Sequence, residues 1–116
     1  MTEPILIAGE LVGGSGEPIH LENPKDGSAS GIYSTASLGD LDRALQSSKG
    51  ASDSWSNIFP HERARYLYKV AELVDRDNEK LANLQMHQNG KTITECRAQS
   101  KSCAAIFRYF AGVCET

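Results

Sequence analysis

The hydrophobic pattern of this chain changes its period at Ser37, and this change constrains the fold more than any other feature. Residues 5–37 are rich in Gly, Pro, Ser and β-branched side chains, with short apolar runs between them. From Ser37 onward, apolar residues recur at intervals of three and four. Short apolar runs between turn residues are typical of strands, whereas the longer period is typical of amphipathic helices. The sequence therefore predicts a β-hairpin and turns over 1–37 and helices over 38–116.

The β-region contains two sets of turn-forming residues. Apolar residues at 5–7 and 11–12 precede the glycine-rich segment 13–16, and Ile19 and Leu21 follow it. This order predicts a β-hairpin with its tip at 13–16. The motif Asn-Pro-Lys-Asp-Gly at 23–27 then predicts a turn, and a third short strand is predicted over 32–34.

Two helices follow, each with a recognisable start. Ser37 and Asp40 have the spacing of a capping box, in which a hydroxyl and an acidic side chain three residues later satisfy unpaired N–H groups. This helix is predicted to end near Asn57. Pro60 suits the first position of the next helix, where an N–H would have no partner. That helix carries an i, i+3, i+4, i+7 apolar stripe at Leu67, Val70, Ala71 and Val74.

The C-terminal half is predicted to continue as helix. Leu81, Ala82 and Leu84 define a third helix, either separate from the second or continuous with it, which can end at Gly90 because glycine is favoured there. A last amphipathic segment runs from Ile93 to residue 116. The prediction is a short β-hairpin region followed by three or four mainly amphipathic α-helices, in one folding unit.

Charge and composition argue against several classes of function. The chain has 15 acidic and 12 basic residues, and its Lys and Arg are scattered from Lys25 to Arg108, which argues against a nucleic-acid surface. The charged residues Asp40, Asp42 and Arg43 are interpreted as a solvated or salt-bridged face. The apolar stretch 5–8 is too short for a signal peptide, and no run reaches membrane-spanning length. We therefore expect a cytoplasmic protein without nucleic-acid or membrane partners.

The cysteines Cys96, Cys103 and Cys114 are an odd number without a secretory signal, so reduced thiols are expected. Their spacing places them on nearly one helical stripe, which allows a metal-site interpretation. At a rise of about 1.5 Å per residue, neighbours on that stripe lie about 10 Å or more apart, whereas zinc-bound thiolates lie about 2.3 Å from one ion. Small buried thiols facing a partner element are the better interpretation. No signature pairs any of them with a histidine for catalysis.

Two glycine segments share features with phosphate-binding motifs but lack their context. Gly90, Lys91 and Thr92 end like a P-loop, but the glycine required five residues earlier is Gln85, within a helical pattern. The segment 13–16 is followed by strand-like residues rather than by the helix that a dinucleotide-binding turn requires. A helix end and a hairpin tip are the favoured interpretations.

Seven clusters, taken in order, resemble the aldehyde dehydrogenase superfamily. Each is weak alone, but their shared order and spacing over nearly the whole chain make the resemblance specific. They are Asn-Pro-Lys-Asp-Gly at 23–27, Asp-Leu-Asp-Arg-Ala at 40–44, Trp-Ser at 55–56, Glu-Arg at 62–63, Asn-Gly-Lys at 89–91, Glu-Cys-Arg at 95–97 and Arg-Tyr-Phe-Ala-Gly at 108–112.

The resemblance implies an α/β family fold, with residues 1–116 as the N-terminal part of the NAD-binding domain. It implies oxidation of an aldehyde to a carboxylic acid, with hydride passing to NAD or NADP through a covalent cysteine thiohemiacetal. The family's nucleophilic Cys, general-base Glu, oxyanion-binding Asn and nucleotide-binding residues all match positions beyond Gly112. No catalytic, cofactor-binding or metal residue is therefore expected in this chain, and no activity is expected of it alone.

Three positions carry further family implications. The acidic residue that holds a cation in some members matches Gln88, whose amide brings no negative charge, so the cation site is not expected here. Ala98 and Ser102 match one wall of the family's aldehyde tunnel, and their small size would imply a roomy tunnel. A surface-facing Ser102 explains that residue equally well.

Two functions stay open at this point. The first is an N-terminal piece of an aldehyde dehydrogenase that is inactive alone. The second is a stand-alone interaction module, whose last helix pairs with a second copy or another subunit, because Phe107, Phe110 and Ala111 have no evident partner in so short a chain.

Overall fold

The computed structural model describes residues 2–116. They form two compact units, residues 2–57 and Ile58–Thr116, here unit one and unit two. The single folding unit expected from the length stays a prediction. Unit one contains β1 (Thr2–Glu3), β2 (Ile5–Ile7), β3 (Glu10–Val12), β4 (Ile19–Glu22), β5 (Ala29–Tyr33) and α1 (Leu38–Asn57). Unit two contains α2 (Pro60–Arg76), α3 (Asn78–Asn89) and α4 (Ile93–Glu115).

The strands of unit one form two small sheets. In the first, the strand order is β1-β5-β4, with β1 parallel to β5 and β4 antiparallel to it. The second is the antiparallel pair β2 and β3, in which Leu6 lies opposite Leu11. The strand predicted over 32–34 is confirmed as β5, although it begins three residues earlier than predicted.

The predicted hairpin tip is wrong. Strands β2 and β3 are joined by Ala8 and Gly9, whose φ angles of 54° and 82° are both positive. Two consecutive positive φ angles give the tight turn whose twist matches that of an antiparallel pair. Segment 13–16 instead connects β3 to β4, and the second hairpin turns at 23–27, where Gly27 N donates to Asn23 O at 2.8 Å.

All predicted helices of unit two are present. Pro60 occupies the first turn of α2, as predicted. Asp77, with non-helical angles, separates α2 from α3, so the third helix is not continuous with the second. Gly90 ends α3 in the left-handed conformation at φ 74°, as expected for a glycine that terminates a helix.

Small side chains fill the interior of unit two. Its fully buried residues are Ala64, Ala71, Ala82, Cys96, Ala104 and Ala111. Helix α2 packs mainly against α4, and α3 also packs on α4. Alanine at a contact brings two helix axes close together, so these positions leave little room for larger side chains.

Ion pairs at the surface of unit two connect α4 to the other helices. Arg97 on α4 donates from two nitrogens to the carboxylate of Glu79 on α3, at 2.7 and 2.9 Å. Arg108 on α4 pairs with Asp75 on α2. Both pairs are solvent-exposed and contribute mainly orientation, because exposed ion pairs are weak in water.

Candidate functional site

Helix α4 has two apolar sides. One side carries the buried residues that pack within unit two, among them Cys96, Ala104 and Ala111. The other side is exposed and consists of Ala98, Ser102, Ile106, Tyr109, Phe110 and Val113, which we call the outer face of α4. Ile106 and Tyr109 are 56% and 68% exposed. An exposed apolar face is typical of a surface that contacts another part of a protein, so this face is suited to being covered.

The two residues predicted to line an aldehyde tunnel lie on this outer face. Ala98 and Ser102 are four positions apart, so they are neighbours on one side of the helix, and both are exposed. They point away from the side that packs within unit two. Their assignment to a tunnel wall stays a prediction.

The cysteines differ in their surroundings more than their spacing predicted. Cys96 is buried, Cys114 is half-buried and Cys103 is exposed. The prediction of buried thiols facing a partner is therefore wrong for Cys103. The reason is that Ser100 and Ala104 occupy the buried positions at this level of α4, which places Cys103 at the edge of the contact.

Among residues 2–116, no group of three His, Cys, Asp or Glu side chains is placed to hold a metal ion. Gln88, which matches the family's acidic cation ligand, is exposed near the end of α3. An amide at this position brings no charge to neutralise a cation.

The carboxylate with the most hydrogen bonds is that of Asp40, at the start of α1. It is 2% exposed and accepts from the N–H of Ser15 at 2.8 Å, the N–H of Ser37 at 2.9 Å and the guanidinium of Arg43 at 2.6 Å. The N–H groups of Ser37 and Ser15, followed by Arg43, lower the pKa of this carboxyl far below its usual range. Asp40 is thus held ionised, which suits structural support and not proton transfer.

This network corrects the sequence interpretation in one respect. The capping box of Ser37 and Asp40 is confirmed, because Asp40 N also donates to Ser37 Oγ at 3.2 Å. The expected salt bridge is present, since Arg43 pairs with Asp40 at 2.6 Å, but the carboxylate of Asp40 is buried rather than solvated. The N–H of Ser15, which lies 25 positions earlier, also donates to the Asp40 carboxylate, and no local sequence signal indicates that contact.

The glycine-rich segment 13–16 does not fit a nucleotide pyrophosphate. Gly16 N donates to Thr35 O at 3.0 Å, and the N–H of Ser15 is taken by Asp40. A Cβ on Gly14 would lie 2.0 Å from Thr35 O, so glycine is needed here for close contact between two backbone segments. The segment leads into β4 and not into a helix N-terminus, which a dinucleotide-binding turn requires.

The other glycine segment is a junction between helices, as predicted. Gly90 N donates to Met86 O and closes α3, and Thr92 caps α4 by accepting from Glu95 N at 3.3 Å. A P-loop would need a strand before the glycine, and α3 occupies that place. The side chain of Lys91 donates to Gln99 Oε1 at 3.1 Å.

Two small sheets and four helices make up the described fold, and its relatives are found in one family. The aldehyde dehydrogenase family model matches residues 11–116. The α-ketoglutaric semialdehyde dehydrogenase of Bacillus subtilis is 32% identical over 99 residues, which cover 84% of this chain and 20% of that protein. The betaine aldehyde dehydrogenase of the same organism is 31% identical over 118 residues, covering 99% of this chain and 24% of that protein.

Solved structures agree in fold. The NAD-dependent aldehyde dehydrogenase of Sinorhizobium meliloti superimposes with a TM-score of 0.90 at 29% identity, over 97% of this chain and 23% of that one. PnpE, solved in complex with nicotinamide adenine dinucleotide, gives a TM-score of 0.90 at 33% identity, with the same coverage of both chains.

The chain belongs to the aldehyde dehydrogenase family. It spans about a fifth to a quarter of the length of the relatives that it matches. The α/β family fold predicted from the seven sequence clusters is confirmed. Within residues 2–116, no helix has the length and apolarity needed to cross a membrane.

Proposed function

We propose that this chain is the N-terminal scaffold of an NAD(P)-dependent aldehyde dehydrogenase, with no turnover of its own. The observation that carries the proposal is the outer face of α4. It presents Ile106, Tyr109, Phe110 and Val113 to solvent, each about half or more exposed, beside a side of the same helix that is already packed. The membership of the chain in the aldehyde dehydrogenase family supports the rest of such an enzyme as the cover.

The activity of that whole enzyme would be oxidation of a small-molecule aldehyde with NAD or NADP as acceptor. Neither glycine segment of this chain fits a pyrophosphate, so the nucleotide would be bound by parts of the enzyme outside it. The Asp40 carboxylate is held ionised by its hydrogen bonds, and the nucleophile and general base would likewise lie outside. Ala98 and Ser102 would contribute small side chains to the tunnel that admits the aldehyde. A cytoplasmic location and the lack of a nucleic-acid partner belong to the same proposal.

The lack of turnover is tested directly on the purified 116-residue chain. We expect no aldehyde-dependent formation of NADH or NADPH, measured by absorbance with a panel of aliphatic and aromatic aldehydes. Intact betaine aldehyde dehydrogenase of B. subtilis serves as the positive control. Turnover that copurifies with the 116-residue chain and persists in repeated preparations would refute this part of the proposal.

The scaffold role is tested with a chimera. Residues 1–116 replace the matching segment of B. subtilis betaine aldehyde dehydrogenase, which is 31% identical over the length of this chain. We expect a folded chimera that retains aldehyde-dependent NADH formation. A chimera that folds to the native oligomer of its parent and has no activity would contradict the role.

The outer face is then tested within the chimera. Ile106→Asp or Tyr109→Asp introduces a charge onto this face and should abolish activity or assembly, because a carboxylate would be buried without a partner. Lys101→Asp changes a charge on an exposed position of α4 outside the outer face, and this matched control should remain active. Equal effects of the three substitutions would show that the face is not specifically covered.

A second candidate is self-association through the same face. It is favoured by Tyr109 and Phe110, whose rings lie in edge contact with centroids 5.3 Å apart and whose side chains are both exposed. Aromatic side chains are enriched at protein interfaces. Light scattering distinguishes the two candidates. A discrete dimer that the Tyr109→Asp substitution converts to a monomer favours the interaction module, whereas a heterogeneous aggregate favours the scaffold.

A further inference from the structure

A shallow groove, largely open to solvent, lies in unit two where α2, α3 and α4 meet, with a volume of about 390 Å³. Val74 and Leu81 give it an apolar part, and three amides, from Gln85, Gln88 and Gln99, line it as well. The volume is within the range of about 300–1,000 Å³ that is typical of small-molecule sites. Among the described residues, the lining of the groove contains these amides and apolar side chains but no charged side chain.

Two further lining residues are a thiol and a hydroxyl from consecutive turns of α4. Cys103 is exposed, so its thiol is accessible from the groove. Ser100 is 8% exposed, and its Oγ has no hydrogen-bond partner. Residues three apart on a helix have Cβ atoms about 5–6 Å from each other. A buried hydroxyl without a partner is unusual, and Ser100 contributes to the lining of the groove on the turn of α4 next to Cys103.

A positive charge lies next to the groove. Lys91 Nζ donates to Gln99 Oε1 at 3.1 Å, and Gln85 Nε2 donates to the same oxygen. Within residues 2–116, no carboxylate lies in salt-bridge range of Lys91. The ammonium is therefore held against a neutral amide that lines the groove, where it can attract a carboxylate on a bound molecule.

From these three features we propose that Cys103 is a modification site that forms a mixed disulfide with a small, anionic, peptide-like thiol seated in the groove. The Cys103 thiolate attacks one sulfur of a low-molecular-mass disulfide. A new S–S bond forms to Cys103, the original S–S bond breaks, and the released thiolate takes up a proton. Cys103 is oxidised and the departing half of the disulfide is reduced, so no other oxidant is needed.

The other two thiols do not share this environment. Cys96 is completely buried between helices, and Cys114 is half-buried near the end of α4. Neither lines the groove. Modification should therefore concentrate on Cys103, and its preference among disulfides should depend on Lys91 and Ser100.

The test follows modification of each cysteine in the 116-residue chain by mass spectrometry. Oxidised glutathione is the anionic peptide probe, and hydroxyethyl disulfide is a neutral probe of the same chemistry. We expect Cys103 to react first, with a preference for oxidised glutathione about threefold to fivefold above that of the urea-unfolded chain at low salt. Lys91→Ala should reduce this ratio to the unfolded value, whereas Lys101→Ala, the matched control, should leave it unchanged.

Ser100→Ala tests the hydroxyl separately from the charge. It should lower the equilibrium population of the glutathione adduct about threefold to tenfold in a redox titration, without altering the rate preference set by Lys91. Circular dichroism of each variant verifies that α4 is folded. The proposal fails if Cys114 reacts first, if the folded and unfolded chains show the same preference, or if Lys91→Ala and Lys101→Ala behave alike.

Discussion

Unit one and unit two differ in what occupies their most buried positions. In unit one, the buried residues are Ile7 and the carboxylate of Asp40, while Leu38, Leu41 and Leu45 of α1 are largely exposed. In unit two, the buried residues are mostly alanines from three helices. Unit one is thus organised by directed hydrogen bonds, and unit two by close approach of helices. The first arrangement is sensitive to charge and backbone path, and the second to side-chain volume.

The largest effect should come from adding volume in unit two. Ala104→Leu places a large side chain at a fully buried position of α4 and should lower the free energy of unfolding by about 3 kcal/mol. Ala105→Leu, at the next and exposed position, is the control and should be nearly neutral. Urea denaturation followed by circular dichroism measures both. Equal midpoints for the two variants would show that α4 does not pack tightly at Ala104.

The next effect should come from crowding the backbone of unit one. A Cβ on Gly14 would lie 2.0 Å from Thr35 O, so Gly14→Ala must displace one segment and should cost about 2 kcal/mol. Gly13→Ala, whose Cβ would meet nothing within 4 Å, is the matched control. Fluorescence of Trp55, the one tryptophan of the chain, reports on unit one during urea unfolding. A Gly13→Ala variant as unstable as Gly14→Ala would contradict the close contact.

The third effect is a dependence of the stability of unit one on pH, through Asp40. The folded-state pKa of Asp40 is lowered below its ordinary value of 3.8, so its stabilisation is present above that value and is lost as the pH falls through the folded-state pKa. Asp40→Asn should destabilise unit one at about pH 7, by less than Gly14→Ala does. The difference from the wild type should shrink below about pH 4. Urea midpoints from Trp55 fluorescence across this range provide the measurement, and a difference that grows on acidification would overturn the assignment.

The smallest effects concern single glycines, one in each unit. Gly90 has φ 74°, so Gly90→Ala should destabilise unit two by about 1 kcal/mol. Gly50 lies within α1 with open space around its Cβ position, and Gly50→Ala should stabilise that helix by about 0.5–1 kcal/mol. In thermal unfolding, the melting temperature should fall for Gly90→Ala and rise for Gly50→Ala. Shifts in the same direction would show that one of the two backbone conformations is wrong.

The sequence was sufficient for features that depend on neighbouring residues. The start of α1 at its capping box, the start of α2 at Pro60 and the end of α3 at Gly90 each depend on contacts within one turn of helix. The hairpin tip was missed because Ala8 adopts positive φ, which alanine rarely does, while the more obvious glycines at 13–16 serve a long-range contact.

The candidate sites show the same limit. The family resemblance assigns Ala98 and Ser102 to a tunnel wall, and this assignment stays a prediction for two residues that the structure exposes. The helical spacing of the three cysteines predicts Cys103 on the buried stripe. The prediction is wrong because spacing alone does not reveal which of two adjacent positions faces the neighbouring helix. The bond between Ser15 and Asp40 is another case, since contacts across 25 residues depend on the whole path of the chain.

One consequence of the Asp40 network concerns where this protein can be altered. The N–H of Gly16 donates to Thr35 O, and the N–H groups of Ser15 and Ser37 donate to the carboxylate of Asp40. These hydrogen bonds hold the segment before β4 next to the segment after β5. Strands β4 and β5 therefore form a hairpin whose two ends are held together and whose turn, at 24–28, is exposed. An epitope or a fluorescent label inserted at this turn would lengthen only a loop whose ends are already held together. The insertion should therefore cost little folding free energy, and this turn is the best place for it in unit one.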